Sequence, residues 1–409
     1  MSKNVVGNEI LLDSWEQKGN SYPELVDLLE VIDASTKVAE VRKDGIGIYT
    51  VKAVDSKKEV VTGWLHAPNA TIKNYSFDEL KEKHGAFPEL IAELGRNLRM
   101  LCLNGYLFFV DGEILTTLSQ RGGCRIGDAF LRNEAHMRFL ADEIMAQYMY
   151  LPDQKDKLCH VVFREVDGAK KALGVLTDRH APIPQKESVE AVMNVFTKEL
   201  GKAELVSFTV NGTETVVYVE FPEKAKDFTN VVKDAGTVKG ISVQDEVCPG
   251  IMIRTADGGD SSFTVIGTVR IGRMLLYLPA AKFARAHTKN VDLSNIEERL
   301  KKQVFAEFTK IPDRLCELVT IDVADPHLAV EKVAKYCGIK KALGLGAENR
   351  VIREIQELLN PSVAYTAYDL AMLFLDEGRS LEPEYSRDES LGKIRYCFVQ
   401  AIFYKYEGL

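Results

Sequence analysis

Residues 204–221 read ELVSFTVNGTETVVYVEF. Val206, Phe208 and Val210 occupy alternate positions, Asn211-Gly212 interrupts the run, and Val217, Val219 and Phe221 alternate on the return. A period of two is what a strand with one buried face requires. An Asn-Gly pair tolerates the positive φ angles of a two-residue hairpin turn. The segment predicts an antiparallel hairpin turning at Asn211-Gly212, and an antiparallel sheet as the organising element around it.

Working outward, β-branched runs at 45–54 and 59–66 flank a Lys-Lys-Glu turn, and 159–166 and 171–177 read as a further pair of strands. Tyr106 to Val110 is a strand, and Asp111-Gly112 signals a hairpin into Ile114 to Thr117. Strands also fit 250–254, 263–271 and 274–278. Helical periodicity covers 24–32, 77–101, 130–148 and 187–199; in the third of these Met137, Leu140, Ala141, Ile144 and Tyr148 share one face. After about residue 290 the pattern is helical only. Ser294 and Glu297 form a capping-box signal ahead of the stripe Ile296, Leu300, Val304 and Phe308, and Thr366 with Asp369 forms another. Helices are expected at 325–338, 347–359, 366–377 and 388–405, with Pro361 ending the second of them. The fold class is α+β: a mixed body with a largely antiparallel sheet and hairpins, then an all-helical C-terminal part. The expected division is 1–118, 119–290 and 291–409.

Composition narrows the function classes. The chain has 409 residues, with 52 Lys+Arg against 60 Asp+Glu, a net charge of −8. Its length suits two or three domains at about 150 residues each. No apolar run approaches the roughly 20 residues of a membrane span, and Met1-Ser2-Lys3-Asn4 begins no signal peptide. Seven cysteines are scattered with no C-x-x-C spacing, which argues against a disulfide framework and against zinc. These features point to a reducing cytoplasm. Phosphate-loop, dinucleotide, H-E-x-x-H and G-x-S-x-G signatures are absent, so neither a cofactor nor a metal is expected and no catalytic residue is assigned. Gly344-Leu345-Gly346 lacks the third glycine of a nucleotide loop and reads as a helix connection.

The strongest electrostatic feature is 263–290. Arg270, Arg273, Lys282, Arg285, His287 and Lys289 stand there with Tyr277 and Phe283 and no acidic residue, a local reversal in an acidic chain. Cations interleaved with aromatic rings suit a surface that tracks a nucleic-acid backbone and stacks its bases. Strand alternation offers the competing reading, in which the residues divide between two faces and the aromatics enter the core. Gln120 to Arg138 carries four arginines around Gly122-Gly123, but Asp128 and Glu134 dilute its charge. A possible loop site combines Asp178, Arg179 and His180 with Asp257 and Asp260, where two carboxylates in a glycine turn could meet a cation or phosphate; a satisfied Asp–Arg pair and a plain β-turn explain the same residues. Cys159 and His160 are adjacent on a strand, so they point to opposite faces and form no thiolate–imidazolium pair.

Several strings resemble a known family. Leu176-Thr177-Asp178-Arg179-His180 with Pro182, then Gly250-Ile251-Met252-Ile253-Arg254-Thr255 with Gly259-Asp260-Ser261-Ser262-Phe263, then Thr366-Ala367-Tyr368-Asp369-Leu370-Ala371, follow in an order similar to the phage/plasmid-like proteins carrying domain of unknown function 932, over roughly residues 120 to 380. Where that family has Arg-x-x-Cys-x-Asn-Gly, this chain has Arg270-Ile271-Gly272-Arg273-Met274; a similar string, Arg99 to Gly105, lies upstream instead. The resemblance implies a mobile-element origin, hence a bacterial host cytoplasm, and no assigned chemistry. The expectation is a non-enzymatic protein that binds nucleic acid, single-stranded in replication or recombination. The alternatives are a self-assembling or host-interaction protein, and an enzyme built on the 178–180 and 257–262 loops.

Overall fold

The computed structural model describes residues 7–55, 60–66, 72–110, 114, 118, 134–144, 148–238, 246–258, 262–285 and 296–380, apart from 152, 154, 181, 213, 273, 337–339 and 341–343. Two large sheets organise them. The six-stranded sheet has the order β1 (Glu16–Gly19), β10 (Glu204–Asn211), β11 (Glu214–Glu220), β12 (Val247–Ala256), β13 (Phe263–Ile271) and β14 (Met274–Arg285), antiparallel throughout. The eight-stranded sheet has the order β2 (Thr36–Arg42), β8 (Leu158–Val166), β9 (Ala169–Thr177), β7 (Tyr106–Val110), β6 (Arg99–Leu103), β3 (Ile46–Asp55), β4 (Val60–His66) and β5 (Ile72–Ser76). It is mixed, because β7 and β9 run parallel.

Helices fill the connections: α1 (Tyr22–Ser35), α2 (Phe77–His84), α3 (Pro88–Asn97), α4 (Glu134–Ile144), α5 (Gln185–Leu200) and α6 (Pro222–Val238). The C-terminal region is helical. α7 (Ile296–Leu300) runs through a π-turn (Lys301–Phe305) into α8 (Ala306–Phe308), followed by α9 (Ile311–Thr320), α10 (Pro326–Tyr336), α11 (Leu345–Leu358) and α12 (Ala367–Ser380). The region is not purely helical: β15 (Asp322–Val323) and β16 (Tyr365–Thr366) pair as a two-residue ladder. At its end Thr366 and Asp369 make the expected capping box, the Thr366 amide donating to Asp369 Oδ2 at 2.8 Å and the Asp369 amide to Thr366 Oγ1 at 3.2 Å. The Ser294 cap and the 388–405 helix lie outside the described residues.

The 204–221 hairpin is present, with two corrections. Neither Asn211 nor Gly212 has positive φ. The turn is held instead by the Asn211 side chain, whose Oδ1 accepts the amide of Glu214, three residues on, at 2.8 Å. A register shift between Leu205 and Ser207 also turns Val206 outward to 42% exposure, although alternation assigned it to the buried row. Elsewhere the helix expected over 77–101 ends earlier. Gly85 and Leu98 take left-handed conformations, and 99–103 is strand β6. Its return partner is β7 across Asn104-Gly105, so the hairpin lies upstream of Asp111-Gly112, and Ile114 is helical rather than extended.

Strand pairing crosses residue 118, because β2 and β8 are neighbours. One continuous apolar cluster reaches from Ile10 through both sheets to Phe374. A second, containing Ile48, Phe108, Leu140 and Val161, fills the other face of the eight-stranded sheet beneath α4. The sheets also touch backbone to backbone: a Cβ on Gly174 of β9 would lie 2.3 Å from the carbonyl oxygen of Gly258, just past β12.

Candidate nucleic-acid interface

The six-stranded sheet has two unlike faces. Val217, Ile253, Val265 and Phe283 point inward to the main core, where α5 and the 296–308 run pack; Phe308, for instance, lies against Gly267. The opposite rows carry Arg270 and Lys282 of the basic window. Cross-strand register aligns Tyr218, Met252, Ile266 and Lys282 in one row and Glu220, Gly250, Thr268 and Tyr277 in the next. A third row sets Cys248 beside Arg270 and Leu275. Tyr218, Met252, Ile266, Leu275 and Tyr277 are half-exposed, and Lys282 is exposed.

Tyr218 is fixed in place by its neighbours. A Cβ on Gly250 would lie 3.3 Å from Tyr218 Cε2, 2.7 Å from Thr268 Oγ1 and 2.6 Å from the Val219 carbonyl oxygen. Glycine is therefore what lets the tyrosine ring pass over the sheet at this point. The Tyr218 hydroxyl donates to Glu220 Oε1 at 2.6 Å. Burial, and then this carboxylate, push the phenol well above its ordinary range. Arg270 grips the same carboxylate with a fork: Nε donates to Oε1 at 2.8 Å and Nη2 to Oε2 at 3.1 Å. It also reaches Glu246 at 3.3 Å and the Gly272 carbonyl at 2.9 Å. The hydrogen bonds that Arg270 donates to Glu220 hold its guanidinium above the usual range. Beneath this network burial pushes the Cys248 thiol up to about 12, so it stays protonated.

The basic window is therefore divided. The Arg270 charge is compensated within the sheet. Lys282 stands on the outer face with no ion-pair partner among the described residues. Arg285 ends β14 in register with Phe263, on the inward row, and is half-exposed. Phe283 is in the core, as strand alternation requires. Arg273, His287 and Lys289 lie outside the described residues. A cation that the window did not include, Arg254, shares the outer face and donates to Glu214 Oε2 at 2.6 Å. Tyr218 is not among the residues the sequence singles out, because the hairpin's alternation draws attention to its buried row; the signal lies in the even-numbered row, Val216-Tyr218-Glu220.

The loop residues do another job. Asp178 and Arg179 are exposed. His180 is buried, and its carbonyl accepts from His160 Nδ1 at 2.5 Å, while His160 Nε2 faces Glu40 at 3.4 Å. Cys159 points the other way and donates its thiol to the Val41 carbonyl. Asp257 is fully buried at the seam between the sheets, where it accepts from Gln185 Nε2 at 2.8 Å, and from Arg164 Nη2 and Thr36 Oγ1 at 3.4 Å each. Gln185 in turn accepts from Thr215 at 2.6 Å. Next to Arg164 in the ladder, buried Lys171 pairs with Asp13 and Glu93. Nearby, Asp33 caps α5 by accepting the Gln185 and Lys186 amides at 2.8 and 2.9 Å. Asp257 thus ties the two sheets together with a charge-assisted network. Asp260 is outside the described residues. Among the described residues no group of three His, Cys, Asp or Glu side chains is placed to hold a metal ion, Cys102, Cys159, Cys248 and Cys316 form no disulfide, and no helix is long and apolar enough to cross a membrane.

Comparison with protein-family models, with curated proteins and with solved structures finds no match to this chain.

Proposed function

We propose that the protein is a non-enzymatic nucleic-acid-binding protein of a phage or plasmid, and that it engages single strands through the outer face of the six-stranded sheet. The observation that carries this reading is the company Lys282 keeps: an exposed ammonium on the same sheet face as two half-exposed tyrosine rings. Rings supply stacking surfaces for bases and the ammonium meets phosphate. The resemblance of residues 120–380 to mobile-element proteins supports the setting, a bacterial cytoplasm.

The compensated arginines favour a second reading. Arg254 and Arg270 are matched by Glu214, Glu220 and Glu246, so much of the face is neutral, as a protein-docking surface is. Fluorescence anisotropy with a labelled oligothymidylate over a salt series separates the two. Phosphate contacts give a log–log slope of about −0.7 each on single strands. Lys282→Ala should flatten the slope by about one contact. A wild-type protein that binds no oligonucleotide at low salt rejects the nucleic-acid reading and leaves protein docking.

A further inference from the structure

We propose that Tyr218 and Tyr277 form a two-base stacking subsite for an extended single strand, blind to base identity, with Lys282 taking a phosphate beside it. This rests on the nucleic-acid reading and adds to it the form of the strand and the way it is held.

The geometry sets the form. Tyr218 passes over Gly250, and Gly250, Thr268 and Tyr277 stand abreast on three successive strands. Two strand spacings separate Gly250 from Tyr277, roughly 10 Å. Successive bases in a stacked strand rise only about 3.4 Å. The two rings therefore cannot take adjoining bases of a helix, and a duplex cannot offer them base faces at all. A splayed single strand can. Lys282 lies opposite Ile266, two residues along β13 from Thr268, so it is one row from Tyr277 on the same face. An ammonium there meets the phosphate next to a base stacked on Tyr277.

Blindness to sequence follows from the tether. The Tyr218 hydroxyl is committed to Glu220, and Glu220 is occupied by the Arg270 fork. What Tyr218 offers a ligand is its ring, and every base has a π-face. Glu220 and Arg270 are positioning residues: they fix the ring before the strand arrives, so its immobilisation is not paid for on binding.

The test compares hexathymidylate with an abasic hexamer of the same phosphate count, for wild type, Tyr218→Ala, Tyr218→Phe and Tyr277→Ala, each shown to be folded by its thermal melt. Wild type should bind the base-bearing strand more tightly. Each alanine variant should lose roughly tenfold on hexathymidylate and leave abasic binding within about twofold. Tyr218→Phe keeps the ring and should stay within about threefold of wild type. Equal losses on both strands, or no loss from either alanine variant, would overturn the subsite while salt-dependent binding still upheld the broader reading. If wild type binds neither hexamer at low salt, both fall together. Should Tyr218→Ala fail to fold, Tyr277→Ala decides the matter.

Discussion

At the scale of single residues, the charges that look available in the sequence are mostly spent on the protein itself. Arg270 illustrates this: as a letter it is a phosphate ligand, but in the sheet it clamps Glu220 under Tyr218. Asp257 belongs to a glycine turn on paper and is a fully buried cross-sheet acceptor in the fold. Two outcomes follow at this scale. Gly174→Ala should destabilise the protein by about 1–3 kcal/mol or more, read from urea midpoints, because the new methyl meets the Gly258 backbone and neither chain can swing aside. The second concerns Asp33. Burial raises its carboxyl, more than the two amide donors lower it. A carboxyl that holds its proton more tightly in the folded chain stabilises the fold below the ordinary aspartate value of about 4, and that contribution is lost as pH rises through the raised folded value. Asp33→Asn carries no titrating proton. The stability of wild type relative to this variant should therefore fall as pH rises from about 4 towards the raised folded value and level off above it, and urea midpoints at a series of pH values measure it. A gap independent of pH would show that Asp33 is not perturbed.

Elements were legible in the sequence where one periodicity acted alone. The 204–221 alternation, Val206 apart, the helix expected over 187–199 and the Thr366/Asp369 box correspond to β10–β11, α5 and the start of α12. Prediction failed where two signals competed. Over 77–101 apolar residues satisfied a helical count, yet Leu98 adopts a left-handed cap and Arg99–Leu103 is buried on both faces, a pattern shared by buried helices and central strands. Strands β1 and β2 are sheet edges whose identity depends on partners far away in the chain, so no local pattern announces them. The candidate site was half legible for the same reason. Charge and aromatic content can be counted, but which of Tyr277, Lys282, Phe283 and Arg285 share a face depends on register, and the register shift in β13–β14 falls in the middle of them. The α12 cap offers a clean test of local reading. Thr366→Ala should cost about 0.5–2 kcal/mol in urea unfolding, because it removes the hydroxyl that accepts the Asp369 amide. A change within error would mean that packing of Leu370 and Phe374 holds the helix without its cap.

At the scale of the whole molecule, the C-terminal helices are part of the core rather than an appendage. Leu300, Val304 and Phe308 belong to the same cluster as Val265 and Phe283. A fragment ending at residue 290 would leave that sheet face in water, so it should aggregate or melt without a cooperative transition, as monitored by circular dichroism and sedimentation; a sharp melt would show that the body folds alone. The pairing of β1 with β10 has a consequence in time as well as space. On the ribosome, an edge strand made near the start of the chain must wait for a partner about 190 residues later, on the order of 10–40 s at about 5–20 residues per second. Through that interval β1 is an unmatched ribbon, exposed to chaperones and proteases alike. Nascent chains stalled before Asn211 emerges should be cleaved readily around β1, and chains stalled well after it should resist.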